Sequence, residues 1–239
     1  MSNHQILNTA DHADLRVHTG ASADYGDAVM AALAVPDEFR KVQAHYPIVF
    51  RRDAQGGNFT ALALFGFENG ENLFLANDRW DAGYRPLAMD IQPFLFGRSA
   101  DGSGDGQVHV DMDHARISTS GEGMRVFDDA GQASPYLETI AEKLGMLHAA
   151  FEASSAFFDA LARHELLEPF TLEVPLSDGS KQSLVGFHII DEARLRSLDT
   201  EALGMLHADG HLMPIFMAVA SLSHFTDLIA RKEAKLARG

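Results

Sequence analysis

The hydrophobic pattern of this chain changes period near residue 130. Before that point apolar residues come in short alternating or continuous runs, among them Ile48-Val-Phe-Arg-Arg52, Phe59-Thr-Ala-Leu-Ala-Leu-Phe-Gly-Phe67 and Val108-His-Val-Asp-Met112. Those are strand patterns. After it, Ile140, Leu144, Leu147, Phe151, Ser154, Phe158 and Leu161 recur at spacings of three and four. The spacing predicts one long amphipathic helix, opened by Ser134 as N-cap with Pro135 behind it and ending near His164. Strands gathered before helices predict an α+β fold, with a mainly antiparallel sheet from the N-terminal half packed against helices from the C-terminal half.

Finer signals fill in the order. Residues 1–24 are a polar, His-rich segment whose one alternating piece, Leu15-Arg-Val-His-Thr19, reads as an edge strand, and 25–239 reads as a single domain. Pro36-Asp-Glu-Phe39 has the composition of a helix first turn, so a short helix is expected from Pro36 to Ala44. Pro47 then forces Tyr46 out of the helical region. The run from Phe59 to Phe67 is apolar at nearly every position, as a central strand covered on both faces would be. Glu71-Asn-Leu-Phe74 reads as a short strand pairing back, and Leu87–Phe96, with Pro86 and Pro93, as a bent or edge strand. In the second half, Phe170–Val174 and Ser183–Ile190 flank the turn Ser177-Asp-Gly-Ser180 as a hairpin. Short helices start at Asp191 and Asp199. Leu212, Ile215, Phe216, Val219, Leu222, Phe225 and Ile229 stripe a last helix whose end carries Arg231, Lys232 and Lys235, the favourable sign there.

Composition narrows the class. Of 239 residues 46% are hydrophobic and 22% charged, and no apolar run approaches the ~18 residues of a membrane span. The N-terminus has neither a cationic start nor an apolar core, so the expected compartment is the cytoplasm, with surface or envelope association only by an export route that needs no signal peptide. Zero Cys excludes thiol nucleophiles, zinc-thiolate sites and disulfides. Thirty-four acids against nineteen Lys and Arg give a net charge of -15, which repels phosphate backbones and argues against nucleic acid.

One ordered series of segments carries a resemblance. Tyr46-Pro-Ile-Val-Phe50, Leu64-Phe-Gly-Phe67, Glu71-Asn-Leu-Phe74, Arg79-Trp-Asp-Ala-Gly-Tyr84 with Pro86, and Pro93-Phe94 closely resemble the SapC family of bacterial proteins, as do Val126–Gly131, His164–Pro169, Val185-Gly-Phe187 and Ala220-Ser-Leu222. The series spans about 35 to 225. Two places depart from the family pattern: Met89-Asp-Ile-Gln92 stands where basic residues precede the Pro-Phe pair, and Met217-Ala-Val-Ala220 where a His precedes the Ser-Leu pair. The family takes its name from a surface-layer-associated protein, and the resemblance implies a role in nutrient uptake or envelope physiology. It brings no catalytic residue set.

Candidate chemistry lies in a few places. Trp80, Asp81, Tyr84 and Arg85 combine an aromatic wall, an acid and a guanidinium in a Gly-containing loop, suited to a sugar or amino-acid-like ligand, or equally a buried Trp corner tied down by its charges. His109 and Asp111 alternate on a strand and so share a face, the arrangement by which iron oxygenases supply two of three metal ligands. Iron or another divalent metal would then be the cofactor, and His148, His188, His211 or His224 the third ligand; the alternative is a solvated strand face. Asp101, Ser103 and Asp105 lack the Glu that a calcium loop requires. Ser221 and His224, with Asp227, could touch on a helix, although packing and capping explain them as well. Phe151, Phe157 and Phe158 read as core or as a homo-oligomer contact. The favoured reading is a SapC-like, non-catalytic accessory protein that binds a small molecule or another protein. A metal-dependent enzyme and a surface-layer component are the alternatives.

Overall fold

The computed structural model describes residues 3–53, 57–98 and 106–238. In chain order these form β1 (His4–Ile6), α1 (Thr9–His12), β2 (Arg16–Val17), β3 (Ala31–Ala34), α2 (Phe39–Val42), β4 (Ile48–Arg52), β5 (Phe59–Leu64), β6 (Leu75–Ala76), β7 (Arg79–Trp80), α3 (Leu87–Asp90), β8 (Phe94–Arg98), β9 (Gly106–Asp111) and β10 (Met124–Arg125). There follow α4 (Pro135–Arg163), β11 (Leu167–Pro175), β12 (Lys181–Ile190), α5 (Glu192–Arg196), α6 (Thr200–Ala208), α7 (Leu212–Ser221) and α8 (His224–Leu236). All strand pairs among the described residues are antiparallel. The fold is α+β, with most strands in the first half and most helices in the second.

Two compact units divide the chain. The first comprises Met1–Ala28, Leu75–Asp81 and Leu87–Ala149, and the second Val29–Phe74, Ala82–Pro86 and Ala150–Gly239. In the first unit, β1, β9 and β8 make a three-stranded sheet, and β10-β2 and β6-β7 make two ribbons. Val17, Phe94, Val110 and Val126 bury with Leu137, Ile140 and Leu144 of α4; the 3-4 spacing read from the sequence is the stripe that does this. Ser134 caps α4, its hydroxyl oxygen accepting the Leu137 N–H at 3.3 Å while its proton goes to the Arg125 carbonyl at 2.7 Å. Arg116, only 1% exposed, forks onto both oxygens of Asp27 at 2.7 Å and onto the His18 and Gly20 carbonyls at 2.8 Å. A buried guanidinium is tolerable only with such complete pairing.

The second unit holds a five-stranded sheet in the order β11-β12-β4-β5-β3. β4 is the middle strand, and Ile48, Val49 and Phe50 are all fully buried, so both its faces are covered. The expected strand at Phe59–Phe67 is real but ends at Leu64 and lies one place from the edge. The edge itself is β3, from an Ala-rich run. Facing residues fix one side of the sheet: Phe50 pairs with Ala61, and Ala61 with Ala34. Phe158 of α4 meets Phe50 on that side at 6.4 Å, and Phe157 sits between Phe39 at 6.0 Å and His211 at 5.7 Å.

Three expectations of local structure are corrected. Glu71-Asn-Leu-Phe74 is not a strand: the Glu71 carboxylate takes the Phe67 N–H at 3.1 Å and the Asn72 side chain the Phe74 N–H at 2.9 Å. The Glu71 N–H turns back to the Glu68 carbonyl at 3.1 Å and only Leu73 reaches the end of β5, at the Phe65 carbonyl, so no ladder forms. Leu87–Phe96 begins as helix α3 and becomes strand only at Phe94, because Pro86 precedes the helix where a missing N–H costs nothing. The last helix is two. Ser221 and Ser223 hydroxyls donate to the carbonyls of Ala218 at 2.6 Å and Ala220 at 2.9 Å, competing with the ladder where α7 gives way to α8. By length and composition alone, Leu212–Leu236 is apolar enough to cross a membrane, with a mean hydropathy of 1.5 over an eighteen-residue window.

Candidate functional site

The four loop residues fall in both units: Trp80 and Asp81 in the first, Tyr84 and Arg85 in the second. Trp80 closes the β6-β7 ribbon opposite Leu75. The ribbon turns through Asn77 and Asp78, both at positive φ, and Asp78 accepts the Ser22 hydroxyl at 2.9 Å. Asn and Asp tolerate that conformation better than other side chains. Tyr84 is a framework residue of the second unit. Its hydroxyl donates to the buried Glu38 carboxylate at 2.7 Å, and its carbonyl accepts the Tyr46 hydroxyl. The other Glu38 oxygen caps the Val35 N–H at 3.1 Å, and the Lys41 ammonium lies 5.3 Å from the Tyr84 ring centre. Gly83 must be small, since a Cβ would come within 2.9 Å of His45. Burial, and then the nearby His224, push the His45 pKa down.

His109 and Asp111 both lie on β9. The Asp111 carboxylate accepts the N–H groups of Asn3 at 3.0 Å and Asp113 at 3.1 Å, which fastens β1 and a turn. The His109 ring lies on Gly97, where a Cβ would come within 2.2 Å of it, and its Nε2 is buried without a hydrogen-bond partner. Of the other imidazoles, His148 stacks on Phe96 at 3.7 Å, His188 meets Phe59 edge-on at 4.9 Å and His211 meets Phe157. Among the described residues no three His, Asp or Glu side chains are grouped to hold a metal ion. The Asp101, Ser103 and Asp105 loop lies outside the described residues.

Ser221 and His224 serve the backbone. The Ser221 hydroxyl, fully buried, accepts the Ile48 N–H at 2.9 Å while donating to Ala218. His224 Nδ1 lies 2.9 Å from Asp227 and Nε2 3.0 Å from the Gln43 carbonyl. Serine and imidazole are thus engaged separately, without the nucleophile–base contact that covalent catalysis needs.

A cleft that the sequence did not announce lies in the second unit, between the β3-β5 edge of the sheet and α4. Its volume is about 350 Å³. β3 and β5 contribute the small, buried Ala34 and Ala61 to its lining. Leu33, Phe59 and Thr60 line the sheet side, Asp53 and Asn58 the loop, and Phe151, Ser154, Ser155, Phe158 and Asp159 the helix. Phe151 lines it while 46% exposed, an arrangement neither wholly core nor wholly surface. Phe59 is held by the His188 edge and by the Arg52 guanidinium at 5.5 Å. Burial first, and Arg52 second, push the His188 pKa down. The two serine protons go to the helix carbonyls of Phe151 at 2.6 Å and Glu152 at 3.1 Å. The Asp53 carboxylate takes the N–H groups of Gly57 at 3.0 Å and Asn58 at 3.2 Å. Two signals could have found the site: adjacent serines inside an apolar helix stripe, and an Ala-rich strand where larger residues would close the layer.

A family model for SapC matches residues 7–228, and the chain belongs to the SapC family. No curated protein and no solved structure matches it.

Proposed function

We propose that this SapC-family chain is a non-catalytic accessory protein that binds a small molecule in the cleft between β3, β5 and α4. One observation carries the reading: a cleft of about 350 Å³ walled by Phe59, Phe151 and Phe158 over a floor of alanines, with a few hydroxyl and carboxyl groups. Small-molecule sites have this size, roughly 300–1,000 Å³, and this mixture of apolar wall and sparse polar groups. The lining supports binding better than chemistry. Its serine hydroxyls are spent on helix carbonyls, and no imidazole among the described lining residues stands ready to deprotonate them.

The experiment is a fragment screen by ligand-observed NMR that includes sugars and amino-acid-like compounds. It is run on the wild type, on Ser155→Trp, which fills the cleft from an exposed helix position, and on Trp80→Phe. Hits lost in Ser155→Trp and kept in Trp80→Phe support the cleft. Hits lost only in Trp80→Phe move the site to the Trp80-Asp81-Tyr84-Arg85 loop, and a screen without hits removes the ligand-binding reading. A setting in nutrient uptake or envelope physiology belongs to the same proposal; partition between soluble and washed envelope fractions tests it.

A further inference from the structure

We propose that the ligand of this cleft is a cationic amphiphile, a protonated amine carried on an aromatic or branched apolar body. The inference rests on the ligand-binding reading above and adds the chemistry of the occupant.

The argument is one of donors and acceptors. Ser154 and Ser155 each have a single hydroxyl proton, already given to a helix carbonyl, so what they retain is acceptor capacity. The Thr60 proton points to the Arg51 carbonyl in a long contact of 3.5 Å. Asp53 already accepts the Gly57 and Asn58 N–H groups, Asp159 is an acceptor when ionised, and among the described lining residues none is positively charged. Among the described lining residues Asn58 is the one side chain with N–H groups to give. The described lining therefore favours a ligand that brings donors and positive charge, since a carboxylate or phosphate would meet Asp159 and few protons.

The apolar half of the ligand follows from the walls. Phe59, Phe151 and Phe158 make the lining aromatic, and aromatic rings attract an ammonium as well as a hydrocarbon. Arg52 already lies over Phe59, an intramolecular cation held by the same aromatic group. The chain's net charge of -15 favours cations at long range as well.

Three probes of one shape test this: 2-phenylethylamine, 2-phenylethanol and 3-phenylpropanoate, with dissociation constants measured by NMR titration at low salt. The amine is expected to bind about tenfold more tightly than the alcohol, the carboxylate more weakly than either, and Asp159→Asn to erase most of the amine's advantage. Asp159 is exposed, so its substitution spares the fold. Equal binding of amine and alcohol, unchanged in Asp159→Asn, overturns the cationic ligand while leaving the cleft as a site. Binding of all three that persists in Ser155→Trp, or no binding by any, overturns both.

Discussion

Gly66 and Glu71 approach so closely that a Cβ on Gly66 would lie 2.7 Å from the Glu71 carbonyl oxygen and 2.9 Å from its Cγ. The neighbour is backbone, which cannot swing aside. Gly66→Ala should therefore destabilise by about 2 kcal/mol, the usual scale of overpacking. Gly145→Ala, in α4 with nothing within 4 Å, should stabilise by about 0.5–1 kcal/mol. Urea unfolding of the two variants reads both signs, and equal midpoints would refute the steric argument.

That close approach places the Glu71 carboxylate beside Lys232 at 2.8 Å, with both side chains 6% exposed. Burial pushes the Glu71 pKa up, but bonds from Lys232, the Phe67 N–H and Lys235 more than offset it, and the net shift is down. Lys232 is likewise penalised by burial, yet held above its ordinary value by Glu68 and Glu71. Lys232→Met should cost about 3 kcal/mol by leaving the buried carboxylate with only the Phe67 N–H and the exposed Lys235 as partners, and adding Glu71→Leu should recover part of it. A depressed carboxyl stabilises above its unfolded pKa and loses that contribution as pH falls through the folded value. Lys232→Met should accordingly lose the part of the acid unfolding below about pH 4.5 that Glu71 contributes.

Ser221 is predicted to matter for folding and not for chemistry. Ser221→Ala leaves the Ile48 N–H, at the start of the middle strand, without its 2.9 Å acceptor, a loss of about 1–3 kcal/mol. Ser221→Thr, which keeps the oxygen, should lose less. Thermal unfolding of the pair decides it; an unaffected Ser221→Ala would mean that another acceptor serves Ile48.

Stability should also rise with pH through the range where histidine titrates. His45, His114 and His188 all have pKa values pushed down, in each case first by burial. The unfolded chain then binds protons more readily than the folded one, so stability is full above the unfolded value near 6.5 and falls as pH drops through the folded values. His188→Gln should flatten the slope between about pH 5 and 7. An unchanged slope would show that His188 is not a source of it.

The segments that carry the family resemblance converge on framework. Tyr46 meets Phe65 at 5.1 Å and Phe74 at 4.7 Å, all near edge-to-face, and Arg231 lies 4.3 Å from the Phe74 ring centre. Tyr46, Phe65, Gly66, Glu71, Phe74 and Tyr84 thereby join four of the quoted pieces around one cluster. Their order along the chain made the family recognisable. Tyr84, in the aromatic loop that follows, holds Glu38 and Tyr46.

The sequence by itself determined the class, the family, α4 with its cap, β4 and the β11-β12 hairpin, because periodicity, capping and turn chemistry act over a few neighbouring residues. Tertiary structure decided the rest. Glu71-Asn-Leu-Phe74 has strand composition, but its donors go to the Glu68 and Phe65 carbonyls and to the Asn72 side chain, while Lys232, far along the chain, holds its carboxylate. Ser221 looks like a nucleophile until Ile48, 173 positions away, is seen to use its oxygen. The cleft is a space between Ala34, Ala61 and a helix that begins more than seventy residues further on. Missing volume has no local signature, because it depends on which small side chains end up facing each other.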